Sequence, residues 1–358
     1  MNYKATKEIM IRLYEDKDRG PWDAYVLMHR QGTLFHQISW KQVIENTFGH
    51  RSYYLLAESD AAGEQRTRTI CGILPLFVIK SFLFSKALVS VPFGAYGGIL
   101  SENKEAADGM LRKAKDIAQS EGLDYLELRN RDDTMEDLSV KDLYVRFHRE
   151  IYQELKDNLE AIPRKSRRMV RLGEKEGLTC QFGRQELIPS FYEIFARRYH
   201  QLGSPVFPRR LFEHFLEEFE NHSNILLVKT RDGIPIAGVL TFYYKDEVLP
   251  YYAGSLFEYR NIAPNDYMYW QLMKYGWERG YKRFDFGRSK VNTGSYDFKR
   301  HWGFEPEPLP YQFFLFGLQE IPNISPANPK YRKRIELWRR MPLWATRIIG
   351  PRIVKYIP

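Results

Sequence analysis

The strongest constraint on this chain is an internal repeat, because one order of elements occurs twice at an offset of roughly 160 residues. Each copy has an upstream amphipathic helix, three apolar strand-like segments, a segment with helical periodicity and a fourth apolar strand. In the first copy these segments are Trp40–Phe48, Tyr53–Glu58, Cys71–Ile79, Tyr96–Leu100, 103–121 and Gly122–Arg129. In the second copy they are Leu187–His200, Asn224–Thr230, Ala237–Tyr244, Tyr252–Leu256, 265–279 and Gly280–Arg288. Chance does not easily produce so many matching segments in one order.

This order predicts an antiparallel meander followed by a helix and a strand that returns parallel to the meander. The same order is typical of the GNAT, or acyl-CoA N-acyltransferase, fold. We therefore predict an α/β (α+β) protein with tandem GNAT-like domains, each a mixed, mostly antiparallel sheet flanked by helices. The predicted divisions are residues 1–155, residues 156–320 as the catalytic domain, and a basic amphipathic tail at residues 321–358.

Length and composition fit two globular domains, because 358 residues with 44% hydrophobic content can bury two cores. The two cysteines, Cys71 and Cys180, are too few for a disulfide framework and predict free thiols in a reducing compartment. The N-terminus lacks the apolar segment of a secretion signal, and no run reaches the roughly 18 apolar residues of a membrane span. These features predict a cytoplasmic protein.

The net charge of +9 is concentrated at the C-terminus, where residues 329–358 contain nine basic residues and one acidic residue. Leu337, Met341, Trp344 and Ile348 share one helical face in this tail, interrupted by a proline. A basic segment with tryptophans and an apolar stripe predicts contact with the anionic inner face of the cytoplasmic membrane. A helix packed against the catalytic domain is the alternative.

The segment FDFGRSKVNTGSYDFKRHWGFEPEPLPY, from Phe284 to Tyr311, resembles the end of the catalytic domain in Fem-type peptidoglycan-bridge aminoacyl transferases. It also resembles relatives of that family in exopolysaccharide and PEP-CTERM/exosortase systems, and YDFKRHWGF is its most specific part. Segments 36–58 and 74–100 of the first copy and the helix RKSRRMVR extend the resemblance to residues 30–316. The resemblance implies a tandem GNAT-like fold that moves an acyl or aminoacyl group onto an amine, without a metal or a covalent enzyme intermediate.

Acyl transfer to an amine passes through a tetrahedral oxyanion, so it needs hydrogen-bond donors or positive charge and a group that takes the proton of the amine. By the resemblance, Lys299 lies where Fem-type enzymes keep a lysine near the reacting carbonyl, which implies oxyanion stabilisation. Asp285 and Arg288 end an apolar strand, where open α/β sheets bind ligands. We expect Asp285 to accept the amine proton and Arg288 to bind a phosphate or carboxylate. A structural ion pair between Asp285 and Arg288 has the same sequence pattern and stays open.

The segment Ile162–Gly173, between the copies, is predicted to be the opening helix of the second copy. Arg164, Arg168 and Arg171 recur at helical spacing and share one face. Because like charges repel, this face should meet water or an anion, such as the pyrophosphate of a nucleotide- or lipid-linked saccharide or a transfer RNA backbone. The resemblance favours substrate binding over a merely solvated face.

Aromatic residues border the predicted cleft of the second copy, and Tyr252 and Tyr269 are its predicted lining residues unless they belong to the core. Acetyl-CoA enzymes of this fold hold the pyrophosphate on the N–H groups of a glycine-rich turn that opens a helix. The matching segment, 260–266, has no glycine, and its Pro264 has no N–H. This weakens the case for a CoA donor without excluding it, because Asn265 can still cap the helix and present donors.

Together these features predict an N-acyltransferase of the cell envelope with no permanently bound cofactor and, lacking metal-ligand spacing, no metal site. The expected donor is aminoacyl-tRNA or acyl-CoA, and the expected acceptor is an amine of a nucleotide- or lipid-linked saccharide or peptidoglycan precursor. Two alternatives stay open. One is a CoA-dependent N-acyltransferase that acts on an amino sugar in exopolysaccharide synthesis, and the other is a non-catalytic membrane-associated scaffold.

Overall fold

A computed structural model of the chain describes residues 8–60, 68–81, 85–132, 134–136, 138–323 and 328–357. Parts of three predicted segments therefore lie outside the described residues. They are the first seven residues of the N-terminus that lacks a secretion signal, residues 82–84 of the first copy, and residues 324–327 and 358 of the tail.

The described residues form helices and strands in alternation. The strands are β1 Ile9–Leu13, β2 Leu55–Asp60, β3 Arg68–Leu74, β4 Phe77–Ile79, β5 Ala87–Val89, β6 Tyr125–Arg129, β7 Ser139–Lys141, β8 Tyr144–Glu150, β9 Thr179–Gly183, β10 Ser223–Lys229, β11 Pro235–Tyr244, β12 Glu247–Ser255, β13 Arg283–Lys290, β14 Pro306–Pro308 and β15 Tyr311–Leu315. The helices are α1 Arg19–Met28, α2 Ile38–Phe48, α3 Lys104–Ser120, α4 Leu155–Glu160, α5 Arg164–Lys175, α6 Ile188–Leu202, α7 Arg209–Glu218, α8 Pro264–Glu278, α9 Gly294–His301, α10 Arg332–Arg340 and α11 Leu343–Val354.

The chain divides into two compact units. The first unit comprises Met1–Asp142, Leu309–Pro322 and Tyr356–Pro358, and the second comprises Leu143–Pro308 and Asn323–Lys355. The tandem GNAT-like arrangement of mixed sheets flanked by helices is confirmed by this architecture.

The first unit has a three-stranded antiparallel sheet in the order β1-β2-β3 and a five-stranded sheet in the order β4-β5-β6-β15-β7. Strands β5 and β6 are parallel, and α3 connects them. Helix α3 is strongly amphipathic and begins at Asn103, whose side chain accepts a hydrogen bond from the N–H of Ala106. Its apolar face, including Met110 and Ala114, is buried in the core of this unit.

The second unit contains one seven-stranded sheet in the order β14-β8-β13-β12-β11-β10-β9. The pair β12–β13 is parallel and is connected by α8, while the other pairs are antiparallel. Helix α8 and residues that follow α9 cover one face of the sheet, where Met273, Phe284 and Trp302 are fully buried. The helix between parallel strands therefore occurs at the same place in both copies, as the repeat predicts.

The units are not continuous in sequence, which differs from the predicted division at 155/156 and 320/321. Strand β8 precedes the predicted boundary, yet it pairs with β13 and β14 in the sheet of the second unit. Strand β15 follows β14 in the chain, yet it pairs with β6 and β7 in the first unit. Sheet pairing with strands distant in sequence therefore decides where each unit ends.

One predicted strand of the first copy is wrong. The segment 96–100 makes only one isolated bridge, between Leu100 and Ile73, and the third strand of this copy is β5 instead. Two glycines account for the difference, because a Cβ at Gly98 would lie 1.8 Å from the side-chain oxygen of Asn130. The backbone therefore passes too close to its neighbours for a regular strand, and the N–H of Gly97 bonds the carbonyl of Arg129.

Cys71 and Cys180 are free thiols, as predicted, and burial raises the pKa of both. Within the described ranges, none of the helices combines the length and the apolar character needed to cross a membrane.

Candidate functional site

The centre of the second unit's sheet opens where its two parallel strands part. Strands β12 and β13 pair only at Glu247 with Arg283 and at Val248 with Phe284. Beyond these residues, both strands continue for several residues and pair only on their outer sides, with β11 and β8. The backbone edges that face each other across this opening therefore have no strand partner. We call this opening the strand gap.

Strand β13 carries a bulge beside the strand gap. Asp285 pairs with His148 and Arg288 pairs with Arg146, so two residues of β13 face a single residue of β8. The second bulge residue, Gly287, has a φ of 65°, which a side chain would disfavour. The buried carboxylate of Asp285 accepts a hydrogen bond from the Gly287 N–H at 2.6 Å, which fixes the bulge from its own strand.

Lys299 stabilises the same bulge from α9. Its Nζ donates to the carbonyl oxygens of Phe286, Gly287 and Arg288 at 2.7, 3.2 and 3.1 Å. The residue is only 8% exposed. An ammonium group has three N–H bonds, so each of them has a backbone acceptor. Lys299 therefore holds three successive carbonyls of β13 in place and has no donor left over for a substrate in this conformation.

Burial lowers the pKa of Lys299 to about 7, while the charge of Asp285 raises this pKa and that of Arg288 lowers it further. The cost of burying an ammonium thus outweighs the attraction of the nearby carboxylate. Lys299 consequently changes charge near neutral pH, where an ordinary lysine is fully protonated.

Arg288 and Tyr252 stand on the two strands that part. The guanidinium of Arg288 lies over the ring of Tyr144, 4.7 Å from its centroid. Burial raises the pKa of the Tyr252 hydroxyl, and the positive charge of Arg288 opposes that rise. The two side chains are therefore close enough to interact electrostatically across the strand gap.

Tyr252 is 5% exposed and packs edge-on against the rings of Phe195, Phe207 and Phe212. Its hydroxyl has no hydrogen-bond partner within the described part of the chain. A buried hydroxyl without a partner costs on the order of 1–3 kcal/mol, so it suggests a group whose partner arrives with a ligand. Tyr269, the other predicted lining residue, instead packs against Phe286, Phe298 and Trp302 in the core.

Helix α5 presents the predicted basic face. Arg164, Arg168 and Arg171 are exposed and have no ion pair with the described residues. The opposite face is buried and close to α8, where a Cβ at Gly173 would lie 2.8 Å from the Cβ of Tyr267. Ser166 on this face donates to the carbonyl of His301 at 2.7 Å, which ties α5 to the end of the helix that carries Lys299. We call the exposed row Arg164, Arg168 and Arg171 the α5 basic face.

Asn265 does not cap α8, which corrects the sequence-based expectation. Pro264 occupies the first position of the helix, so Asn265 is its second residue and the capping position falls to Ala263. Ala263 has a φ of 54° and no capping side-chain bond. The following residue, Asp266, accepts a hydrogen bond from the indole N–H of Trp302 at 2.9 Å.

Two features of this region were missed by the sequence analysis. The first is β8, whose Tyr144 supports Arg288, although the alternation in YVRFHRE could have indicated a strand. The second is the role of Gly287, which the sequence shows only as a glycine inside an apolar strand, a known signal of a bulge. Among the described residues, His, Cys, Asp and Glu side chains do not gather in groups of three that would suit a metal ion.

Residues 156–300 match the family model described as an acetyltransferase (GNAT) domain. A lipid II:glycine glycyltransferase of Staphylococcus haemolyticus (strain JCSC1435) is 34% identical over 85 residues, which cover 22% of this chain and 20% of that protein. The chain thus spans about a fifth of the length of this curated relative.

Solved structures match over much more of the chain. The crystal structure of FemX superimposes with a TM-score of 0.65 and 17% identity, covering 90% of this chain and 99% of FemX. A tandem GNAT protein from the clavulanic acid biosynthesis pathway gives a TM-score of 0.53 and 10% identity, covering 87% of this chain and 100% of that protein. The predicted fold is therefore confirmed, whereas the predicted link to exopolysaccharide and PEP-CTERM systems stays a prediction.

Proposed function

This chain is a Fem-type member of the GNAT superfamily, and on that basis we propose that its second unit transfers an aminoacyl group to an amine of a peptidoglycan precursor. The proposed reaction takes place in the strand gap, by direct attack of the amine on the acyl carbonyl.

The strand gap is the observation that carries this proposal. Unpaired backbone N–H and C=O groups on β12 and β13 need partners, and an extended group that contains amide or ester bonds can supply them as an added strand would. The side chains of Arg288 and Tyr252 lie beside these edges. An acyl donor in this position has backbone hydrogen bonds along its length and two polar side chains near its carbonyl.

The proposed chemistry balances without a covalent enzyme intermediate. The amine nitrogen bonds to the carbonyl carbon, the tetrahedral oxyanion collapses, and the ester bond to the donor breaks. We assign oxyanion stabilisation to the guanidinium of Arg288 and the hydroxyl of Tyr252. Asp285 receives the proton of the amine and passes it to the leaving oxygen.

Lys299 is proposed to position the reacting groups instead of binding the oxyanion directly. The predicted oxyanion role needs an available N–H, and all three are directed at carbonyls of β13. By fixing the bulge, Lys299 determines where Asp285 and Arg288 project. Its positive charge still favours a developing negative charge nearby.

The proposed donor is an aminoacyl-tRNA. The α5 basic face offers three exposed guanidinium groups in a row, which suits a sugar-phosphate backbone. A CoA donor is disfavoured because Pro264 lacks an N–H and Ala263 replaces the glycine expected at the turn. The name of the Staphylococcus relative supports a peptidoglycan precursor as acceptor.

Transfer assays with the full-length protein test this proposal. The donor is a transfer RNA pool charged with labelled amino acids or, in parallel, acetyl-CoA, and the acceptors are nucleotide-linked and lipid-linked peptidoglycan precursors. Label that moves from transfer RNA to an acceptor supports the proposal. Transfer from acetyl-CoA alone would establish the CoA-dependent alternative, and no transfer from either donor would favour a non-catalytic scaffold.

A further inference from the structure

The C-terminal helices α10 and α11 are packed against α6 of the second unit. His200 of α6 bonds the carbonyl of Met341, which lies between the two helices, at 2.8 Å, and Arg339 donates to the carbonyl of Leu202. Thr346 and Gly350 of α11 are buried, and a Cβ at Gly350 would lie 2.8 Å from the backbone N of Val206. The tail therefore has a fixed orientation on this unit, and one side of each helix faces away from it.

The outward side of these helices is unusually apolar. Leu337 is 65% exposed, Trp344 68%, Ile348 53% and Ile349 37%. In α11, Trp344, Ile348 and Ile349 lie opposite the buried Thr346 and Gly350 when the residues are placed at about 100° intervals. All seven tryptophans are among the described residues, and Trp344 is the only exposed one. Exposed leucine, isoleucine and tryptophan in one short segment are costly unless something covers them.

Cations surround this apolar side. Lys333, Arg334 and Arg340 of α10 and Arg352 of α11 are exposed and have no ion pair with the described residues. The whole segment 329–358 has nine basic residues and one acidic residue. We call the four apolar residues and these four cations the tail face.

We propose that the tail face binds an anionic lipid surface. The cations match the charge of lipid phosphates, and the apolar side chains match the acyl region just beneath them. A nucleic acid fits less well, because it offers no apolar region for Leu337, Ile348 and Ile349. Because α6 already holds the opposite side of the helices, the tail can dock without leaving the domain. This inference is independent of the reaction proposed above.

Vesicle sedimentation with the full-length protein tests the proposal. The vesicles contain phosphatidylglycerol and phosphatidylcholine in equal parts, or phosphatidylcholine alone. We expect binding to the anionic vesicles only, and weaker binding as salt is raised. Trp344→Ala/Ile348→Ala and Lys333→Gln/Arg334→Gln/Arg340→Gln should each weaken binding at least about tenfold.

Matched controls separate the tail face from general charge and apolarity. Leu27→Ala/Met28→Ala removes two exposed apolar side chains of α1, and Lys86→Gln/Arg112→Gln/Lys113→Gln removes three exposed charges of the first unit. Both should bind vesicles like the wild type. In the wild type, quenching of tryptophan fluorescence by brominated phosphatidylglycerol should occur, and Trp344→Phe should abolish most of it.

The proposal fails if the wild type does not sediment with anionic vesicles, or if both tail variants bind as tightly as the controls. Equal binding to phosphatidylcholine alone would also overturn it. Binding of transfer RNA through the same residues, with no binding to vesicles, would assign the tail face to a nucleic acid instead.

Discussion

The ammonium of Lys299 lies 2.7 Å from the carbonyl oxygen of Phe286, at the bulge where β13 turns beside the strand gap. This bond joins a buried charge of α9 to the backbone that supports both Asp285 and Arg288. One side chain therefore links the stability of the second unit to the geometry of its candidate site.

Lys299→Met should destabilise the protein and reduce transfer together. The methionine fills similar space but leaves three carbonyl oxygens of β13 without their donor, and an unsatisfied buried group costs about 1–3 kcal/mol. We expect the free energy of unfolding to fall by about 2–5 kcal/mol, measured by urea unfolding. Lys282→Met, at an exposed position close to β13, should change it by less than about 0.5 kcal/mol. An equally small effect of Lys299→Met would contradict the positioning role.

The charge of Lys299 should make stability depend on pH between about 7 and 9. The folded pKa is lowered to about 7 from the ordinary 10.5, so in this window the unfolded chain binds a proton that the folded chain has lost. The free energy of unfolding contributed by this group therefore rises with pH from about 7 upward, and the full penalty is present below pH 7. Urea unfolding of Lys299→Met across this window should show a smaller rise than the wild type. Parallel pH profiles for the two proteins would show that Lys299 does not lose its proton there.

Much of the architecture follows from periodicity, and the exceptions have local causes. Helices α3, α5, α6 and α8 and the strands β10, β11 and β13 lie where the repeat predicts them, because each has a clear apolar pattern of one period. Strand β8 was missed because its partners β13 and β14 are far away in sequence, and no local pattern reports such pairing. The cap at Ala263 was missed because a left-handed alanine is rare and Asn265 is the commoner capping residue.

The candidate site was predictable in its residue types but not in its arrangement. Asp285, Arg288 and Lys299 were expected together, and the structure brings them to one bulge. The parting of β12 from β13 depends on register, which the sequence of either strand alone does not determine. Tyr252 and Tyr269 look alike in sequence, yet only Tyr252 has a buried hydroxyl without a partner in the described structure.

Arg288→Gln should reduce transfer by about a hundredfold or more, because loss of one oxyanion donor costs about 2.7–4 kcal/mol in the transition state. The loss should appear in kcat, with the unfolding midpoint nearly unchanged, since the backbone of β13 keeps its partners. Arg300→Gln on α9 removes an exposed guanidinium nearby and should leave kcat at the wild-type value. If Arg288→Gln raised KM alone, Arg288 would bind the substrate without stabilising the transition state.

Tyr252→Phe should reduce kcat by about tenfold, because a hydrogen bond worth about 1.4 kcal/mol corresponds to a factor of ten. The stability should stay the same or rise, since the variant removes a buried hydroxyl that has no partner within the described residues. Tyr243→Phe is the matched control: its hydroxyl donates to Asn224 at 3.0 Å, so the variant should lose about 1 kcal/mol of stability and keep its kcat. The opposite pattern for the two variants would place Tyr252 in the core alone.

Neutralisation of the α5 basic face should weaken binding of the donor transfer RNA. Arg164→Gln/Arg168→Gln/Arg171→Gln removes three exposed cations, and each phosphate that is no longer neutralised should lower the slope of log affinity against log salt by about 0.7 to 0.9. We therefore expect a slope smaller by about two to three, with unfolding unchanged because these side chains lie away from the buried face of α5. Titration of labelled transfer RNA at several salt concentrations, without vesicles, measures the affinity and its salt slope.

The tail variant Lys333→Gln/Arg334→Gln/Arg340→Gln is the control for this prediction, because it removes the same charge from another surface of the same unit. If net charge alone governed binding, the two triple variants would weaken it equally. A specific α5 site requires that the α5 variant lose affinity and the tail variant retain it. The reverse result would move the transfer RNA contact to the tail and would count against the lipid surface proposed there.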